Sequence, residues 1–226
     1  VMYPGLTVAV ANLLSRMAND WTREHILPKL VSGEWSGTMC LTEAQAGSAV
    51  GDVRTVARRD GDSYLLEGSK IFITSGEHDL CSNIIHIMLA RTPDAPAGIR
   101  GLSLFIVPKY RINEDGSLGD KNDIYCSGIE HKMGLNGSST CTLSIGDNEG
   151  AQAFLIGDES EGILRMFSLM NEARIGVGVQ SYSVAAAAYQ SALAYARDRI
   201  QGTRLAEFKD AHAERVPIID HPDVRR

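Results

Sequence analysis

This sequence predicts a mixed α and β fold, with a strand-rich middle closed as an antiparallel barrel between two helical segments. Three observations carry that expectation. Apolar side chains recur every three or four positions over residues 3–17 and again over 163–199. Residues 35–154 instead break into short apolar or alternating runs separated by Gly, Asp, Asn and Pro. Asp60-Gly61-Asp62 stands between two such runs as a hairpin signal. Many short strands joined by hairpins close most readily into a barrel.

In chain order, Leu6, Val10, Leu13, Leu14 and Met17 share one face of a first helix. Asn19-Asp20 breaks it, and Asp20 is placed to cap a second helix from Trp21 to about Val31. Pro28 must lie at a turn or kink because it has no N–H to donate, and Ser32-Gly33 ends the helix. Met39-Cys40-Leu41-Thr42 reads as a short strand stopping at Glu43, followed by a tight turn of small side chains at Ala46-Gly47-Ser48. Residues 54–59 and 63–66 are extended, and residues 70–74 alternate before closing on Ser75-Gly76. Residues 83–90 and 101–107 are apolar strand candidates, with Pro93 and Pro96 in their connection. Residues 111–123 are polar and glycine-bearing, hence a surface loop, and 124–130 and 139–145 are further strands.

From Gly157 the period becomes helical: Ile163, Met166, Phe167, Met170, Ala173 and Val177 recur on one face, and the pattern runs to about Arg199. Ala185–Ala188 favours helix strongly. So long a helix is expected to pack in a bundle continuing past Arg226. Residues 203–226 are charged, carry Pro217 and Pro222, and read as a loose connection with little core. The expected domains are 1–34, 35–156 and 157–226. The chain opens on Val1-Met2 inside an apolar run and stops uncapped at Arg226, so it is expected to be part of a longer protein.

The composition is that of a globular protein: 44% hydrophobic and 22% charged over 226 residues. A net charge of −6 argues against a nucleic-acid or anionic-membrane surface. The apolar stretch 175–195 is interrupted by Gln180, Ser181, Ser183, Gln190 and Ser191, so no run approaches the ~20 residues of a membrane helix. Cys40, Cys81, Cys126 and Cys141 share no CxxC spacing. They read as reduced thiols in strands, with no metal, in a cytoplasmic protein without a signal peptide.

Two strand ends carrying threonines, Thr42 and Thr74, beside a loop of small residues can hydrogen-bond a flat polar ring edge-on. Around them, LTE-x-x-AGS (residues 41–48) and, after the hairpin, G-x-K-x-F-I-T-x-G (68–76) resemble the flavin-binding middle domain of acyl-CoA dehydrogenases. The resemblance continues through Lys132-Met133-Gly134 and Arg174 to Tyr195-Ala-Arg-Asp-Arg199. GSKIFITSGEHD and the NEDGSLGD loop resemble a large bacterial branch of the family. It implies FAD held at Met39, Leu41, Thr42, Phe72, Ile73, Thr74, Arg199 and Gln201, with Phe72 lying against the ring. It implies acyl-CoA contacts at Gly47, Ser48 and Arg174, and a paired-donor guanidinium at Arg199 reaching the FAD diphosphate across a subunit interface.

The resemblance further implies oxidation of an acyl-CoA to its trans-2-enoyl-CoA, an electron-transfer flavoprotein as partner, and a homo-oligomer, dimer or tetramer. The family's base is a glutamate, expected beyond Arg226. A minority place it directly before the arginine matched by Arg174, where this chain has Ala173. Glu172 is one position away, ~100° around the helix axis. The chain alone is therefore expected to be inactive. Ala44 and Ala49 replace the family's Pro and Asp, and Gln201-Gly202 replaces its Phe-Gly. Plainer readings stand beside these: β-propensity for the threonines, a core aromatic for Phe72, solvated helix arginines, a surface Lys132, and no catalytic role for His78 or His131. The rival functions are an acyl-CoA oxidase using O2, and a non-catalytic CoA-ester-binding scaffold.

Overall fold

The apolar spacing at the N-terminal end forms α1 (Met2–Met17), which buries Val10, Leu13 and Leu14 and leaves Val8, Ser15 and Arg16 in solvent. The structure, a computed structural model, describes residues 2–225 and divides into two compact units at the Ala173/Arg174 boundary. The expected second helix is two: α2 (Asp20–His25) and α3 (Leu27–Ser32). Its cap is Asn19, whose side chain accepts from Thr22 N at 2.9 Å, and Asp20 is the first helical residue. Pro28 explains the break at Ile26, because it sits in the first turn of α3 where no N–H is required. Gly33, at φ 80°, closes α3 in the left-handed conformation.

Ten strands follow: β1 (Trp35–Cys40), β2 (Val56–Asp60), β3 (Ser63–Thr74), β4 (Asn83–Arg91), β5 (Leu102–Pro108), β6 (Tyr110–Ile112), β7 (Leu118–Lys121), β8 (Ile124–Ile129), β9 (Thr140–Ile145) and β10 (Ala151–Leu155). The main sheet runs β1-β4-β5-β10-β3-β9-β8, and β2 pairs with both β3 and β4, closing a ring through β4, β5, β10, β3 and β2. The β1/β4 and β2/β4 pairings are parallel, a departure from the all-antiparallel expectation. Residues 41–82 supply the long return that a parallel pair needs.

β4 shows how the ring is filled. Ile85, Ile87 and Leu89 face a core shared with Leu13, Leu14, Trp35 and Leu104. Met88 and Ala90 face a second core with Tyr64, Leu66, Phe105 and Leu143. The period of two sends alternate residues to opposite faces, and both faces are buried.

Three local readings change. Residues 63–66 and 70–74 are one continuous strand, β3. The expected surface loop 111–123 contains the β6–β7 hairpin, tied to the helices by Trp21 Nε1 donating to Glu114 O at 2.9 Å and Lys29 Nζ to Gly116 O at 2.7 Å. Polar composition conceals such a hairpin, because its hydrogen bonds and not a buried face hold it. Cys81 lies in a bend between β3 and β4 and not in a strand, and all four cysteines are free.

α4 (Gly162–Asp198) begins in the first unit, where Met166 and Leu169 are buried, and continues into the second. Within the second unit, residues 203–225 are not loose. Gln201 N donates to Val216 O at 3.0 Å, Val216 N to Gly202 O at 3.1 Å and Ile218 N to Arg199 O at 2.8 Å, folding the segment back as a short ladder. Val216 is buried there.

Candidate functional site

The parity of β3 builds the site. Tyr64, Leu66 and Lys70 point into the ring, so the alternation puts a lysine where an apolar side chain belongs. Lys70 is fully buried, and its Nζ donates to Glu43 Oε1 at 2.8 Å and to Leu41 O at 3.1 Å. Glu43 also accepts from Arg54 N at 2.7 Å, Thr55 N at 3.1 Å and Thr55 Oγ1 at 2.5 Å, with Gln45 Nε2 at 2.7 Å. Burial alone would raise the Glu43 pKa. The Lys70 ammonium and the hydrogen bonds from Lys70, Thr55 and Arg54 outweigh it and bring the pKa down to about 2. Burial pulls the Lys70 pKa below its ordinary value, with Glu43 opposing. Glu43 and Ala46 exchange both backbone hydrogen bonds at 3.0 Å, which closes the turn immediately before Gly47 and Ser48.

The same network sets the end of β1 against β3, where Ile71 N donates to Thr42 O at 2.9 Å. At Lys70–Ile73 the register of β3 against β9 slips by a bulge, with Phe72 at φ 60°. The slip reverses the parity: Ile73 turns into the core at 2% exposure, and Phe72 turns out at 56%. A left-handed non-glycine residue is strained and is held only by its surroundings. Ser75 follows at φ 59°, its N–H donating to Ser139 O at 2.8 Å and its buried hydroxyl unpartnered.

The sequence-derived residues fall into two sets. Met39, Leu41, Thr42, Phe72, Ile73 and Thr74 are brought together by the β1 end and the β3 bulge. Among the described residues the Thr42 and Thr74 hydroxyls make no hydrogen bond, so both remain available to a ligand. Gly47 and Ser48 lie exposed on the adjoining loop, and a Cβ at Gly47 would meet nothing within 4 Å. The chain's own packing therefore does not require a glycine there. Arg174, Arg199 and Gln201 belong to the second unit. Arg174 is an exposed residue well inside α4. Gln201 O accepts from the His221 ring at 2.8 Å. Glu172, in the first unit, is held by the Asn12 side-chain amide.

Glu43 and Lys70 were missed as site-building residues. The signal was present: by parity Lys70 follows Tyr64 and Leu66 inward, and a buried lysine calls for a buried carboxylate.

The flat group that the resemblance implies is FAD. The residues present suit one: the two unengaged hydroxyls of Thr42 and Thr74, an outward aromatic and an orphan buried hydroxyl at Ser75 lie where the segment after β1 meets the end of β3. Among the described residues there is no cluster of metal-ligating side chains, and no helix is long and apolar enough to cross a membrane.

Residues 38–148 match the family model described as acyl-CoA dehydrogenase, middle domain. The chain is 48% identical over 225 residues to the 3-methylmercaptopropionyl-CoA dehydrogenase of Ruegeria pomeroyi, covering 99% of this chain and 37% of that protein. It is 45% identical over 233 residues to a butyryl-CoA dehydrogenase of Syntrophomonas wolfei, covering 100% of this chain and 38% of that protein. Butyryl-CoA dehydrogenase from Megasphaera elsdenii superposes with a TM-score of 0.71 at 27% identity, over 95% of this chain and 49% of that one. The chain thus spans less than half the length of each.

Proposed function

Because this chain belongs to the acyl-CoA dehydrogenase family, we propose that it forms the flavin- and acyl-CoA-binding part of an enzyme converting an acyl-CoA to its trans-2-enoyl-CoA. In this reading residues 35–156 are the binding domain, 1–34 close a preceding helical domain and 157–226 open a following one. The bound FAD supplies the hydride acceptor. The Thr42 and Thr74 hydroxyls and the main chain at Met39, Leu41 and Ile73 hold the ring edge, and Phe72 covers its face. Gly47 and Ser48 admit the pantetheine arm, where backbone without a side chain permits close approach. Arg174 serves the CoA, while Arg199 and Gln201 hold the FAD diphosphate of a neighbouring copy. Electrons leave to an electron-transfer flavoprotein, and the protein works in the cytoplasm.

The single observation that carries this reading is the bulge that turns Phe72 outward beside the free hydroxyls of Thr42 and Thr74. The reaction also needs a carboxylate to take the α-proton. Glu43 is committed to Lys70 and Glu172 to Asn12, so the base comes from outside these residues and the 226 residues alone are inactive. One observation favours a non-catalytic CoA-ester-binding scaffold: Ala44 and Ala49 stand in the loop where the family pattern has Pro and Asp.

An absorbance spectrum of the purified full-length protein, before and after anaerobic addition of acyl-CoAs, decides between them. 3-Methylmercaptopropionyl- and butyryl-CoA head the panel, given the relatives. Bleaching of a flavin spectrum is the expected result, and aerobic turnover without peroxide separates dehydrogenase from oxidase. A flavin that no acyl-CoA bleaches would establish the scaffold instead.

A further inference from the structure

Three of the four free cysteines, Cys40, Cys126 and Cys141, border the second core, and two of them meet on adjacent strands. β8 and β9 pair with Cys126 opposite Leu143 and Ile129 opposite Cys141. Cys126 packs against the core that holds Ile124, Cys141 and Leu143, so both thiols belong to the inner face. Burial raises the Cys141 pKa to about 11, and Cys126 adds to the rise through its charge and a hydrogen bond, which sets the two sulfurs side by side. Cys141 is fully buried, whereas Cys126 is partly exposed.

Same-face diagonal neighbours on paired strands stand ~7–8 Å apart at Cα, just beyond the usual span of a disulfide. β8 is able to make up the difference. It is the edge strand of the main sheet, and its register slips between Cys126 and Gly128, leaving Ser127 as an extra residue. On its other side β9 pairs with the end of β3, Cys141 opposite Ile73 and Thr140 opposite Thr74.

We propose that Cys126 and Cys141 are a peroxide-sensitive pair whose disulfide locks β8 onto β9 behind the Phe72 bulge. Hydrogen peroxide oxidises the more exposed Cys126 sulfur to a sulfenic acid and leaves as water. The Cys141 sulfur then attacks that sulfur: the S–S bond forms, the S–O bond breaks, and the departing oxygen takes the Cys141 proton as a second water. The two thiols give up two electrons and the peroxide accepts them. A bond that draws β8 inward is strained, and strained disulfides are the readily reduced ones, so a thiol reductant reverses it.

Mass spectrometry of the folded full-length protein after hydrogen peroxide treatment tests the pair. Trypsin cuts after Lys121, Lys132 and Arg165, so the two cysteines fall in separate peptides. The expected product joins peptide 122–132 to peptide 133–165 and is released by dithiothreitol. It should be absent from Cys126→Ser and Cys141→Ser and retained in Cys81→Ser. Recovery of Cys126 only as the thiol or sulfinic acid, or joined to another cysteine, overturns the pair. Resting on the flavin reading above, the linked form should release its flavin several-fold more slowly than the reduced form, with no such difference in Cys126→Ser. A linked peptide with unchanged release overturns the coupling to the end of β3. A protein that holds no flavin overturns the flavin reading instead, and the peptide map still decides the pair.

Discussion

His86 shows what a single buried side chain does to the pH response. It is fully buried in β4, Nδ1 lies 2.7 Å from Thr38 Oγ1, and Nε2 has no partner. Burial, reinforced by the charges of Lys109 and His78, lowers its pKa from 6.5 to about 3. The unfolded chain therefore takes up a proton below pH 6.5 that the folded chain refuses until about pH 3. The stability contribution is present above the unfolded value and is lost as pH falls through that window, at up to about 1.4 kcal/mol per pH unit. Urea unfolding from about pH 7 to about pH 4.5 should show this loss. In His86→Asn the slope should flatten even though neutral-pH stability is lower. An unchanged slope would assign the acid sensitivity to another group. Glu43 acts in a lower window, since its contribution holds above its usual value of 4.5 and fails as pH falls towards about 2.

Between elements, the Glu43–Lys70 pair couples the end of β1, the Gly47-Ser48 loop, the start of β2 and the centre of β3. Removing one member leaves the other charge buried and uncompensated. Lys70→Met is therefore expected to cost about 3–5 kcal/mol. The double variant Lys70→Met/Glu43→Gln should cost clearly less than the sum of its single changes, as contacting residues do. A denaturant-unfolding double-mutant cycle measures this, and additivity within experimental error would mean that the pair is not coupled. Gly68 makes the same point about close elements. At φ 153° a Cβ there would sit 2.6 Å from Thr55 Oγ1, so β3 passes the start of β2 only because this residue has no side chain.

At the scale of the whole molecule, the second unit exposes many large apolar side chains for its length. Ile175, Val177, Val179, Tyr182, Val184 and Tyr189 of α4 are each more than half exposed. A helix apolar on all sides is ordinarily enclosed by others. Expressed alone, the 226 residues are expected to bind a hydrophobic dye or to self-associate. Polar substitution of Val177, Tyr182 and Val184 should abolish the signal without lowering the melting temperature of the first unit. A dye-silent monomeric wild type in sedimentation would remove the case for a bundle around α4.

Periodicity by itself determined α1, α4 and most strands, because burial of one face writes a period of 3.6 or 2 directly into residue order. The motif residues from Leu41 to Thr74 likewise mark the family in residue order alone. Tertiary structure alone decided the rest. Asn19 and not Asp20 caps α2, because capping depends on which side chain reaches Thr22 N. β1 and β2 run parallel to β4, a choice made by long-range pairing that local pattern does not encode. The bulge after Lys70 reverses parity, so strict alternation, which sends Phe72 inward, fails at the position the site depends on. The sequence contains both charges of the Glu43–Lys70 pair. Only the ring's closure makes them neighbours, since burial is a property of the fold and not of a residue.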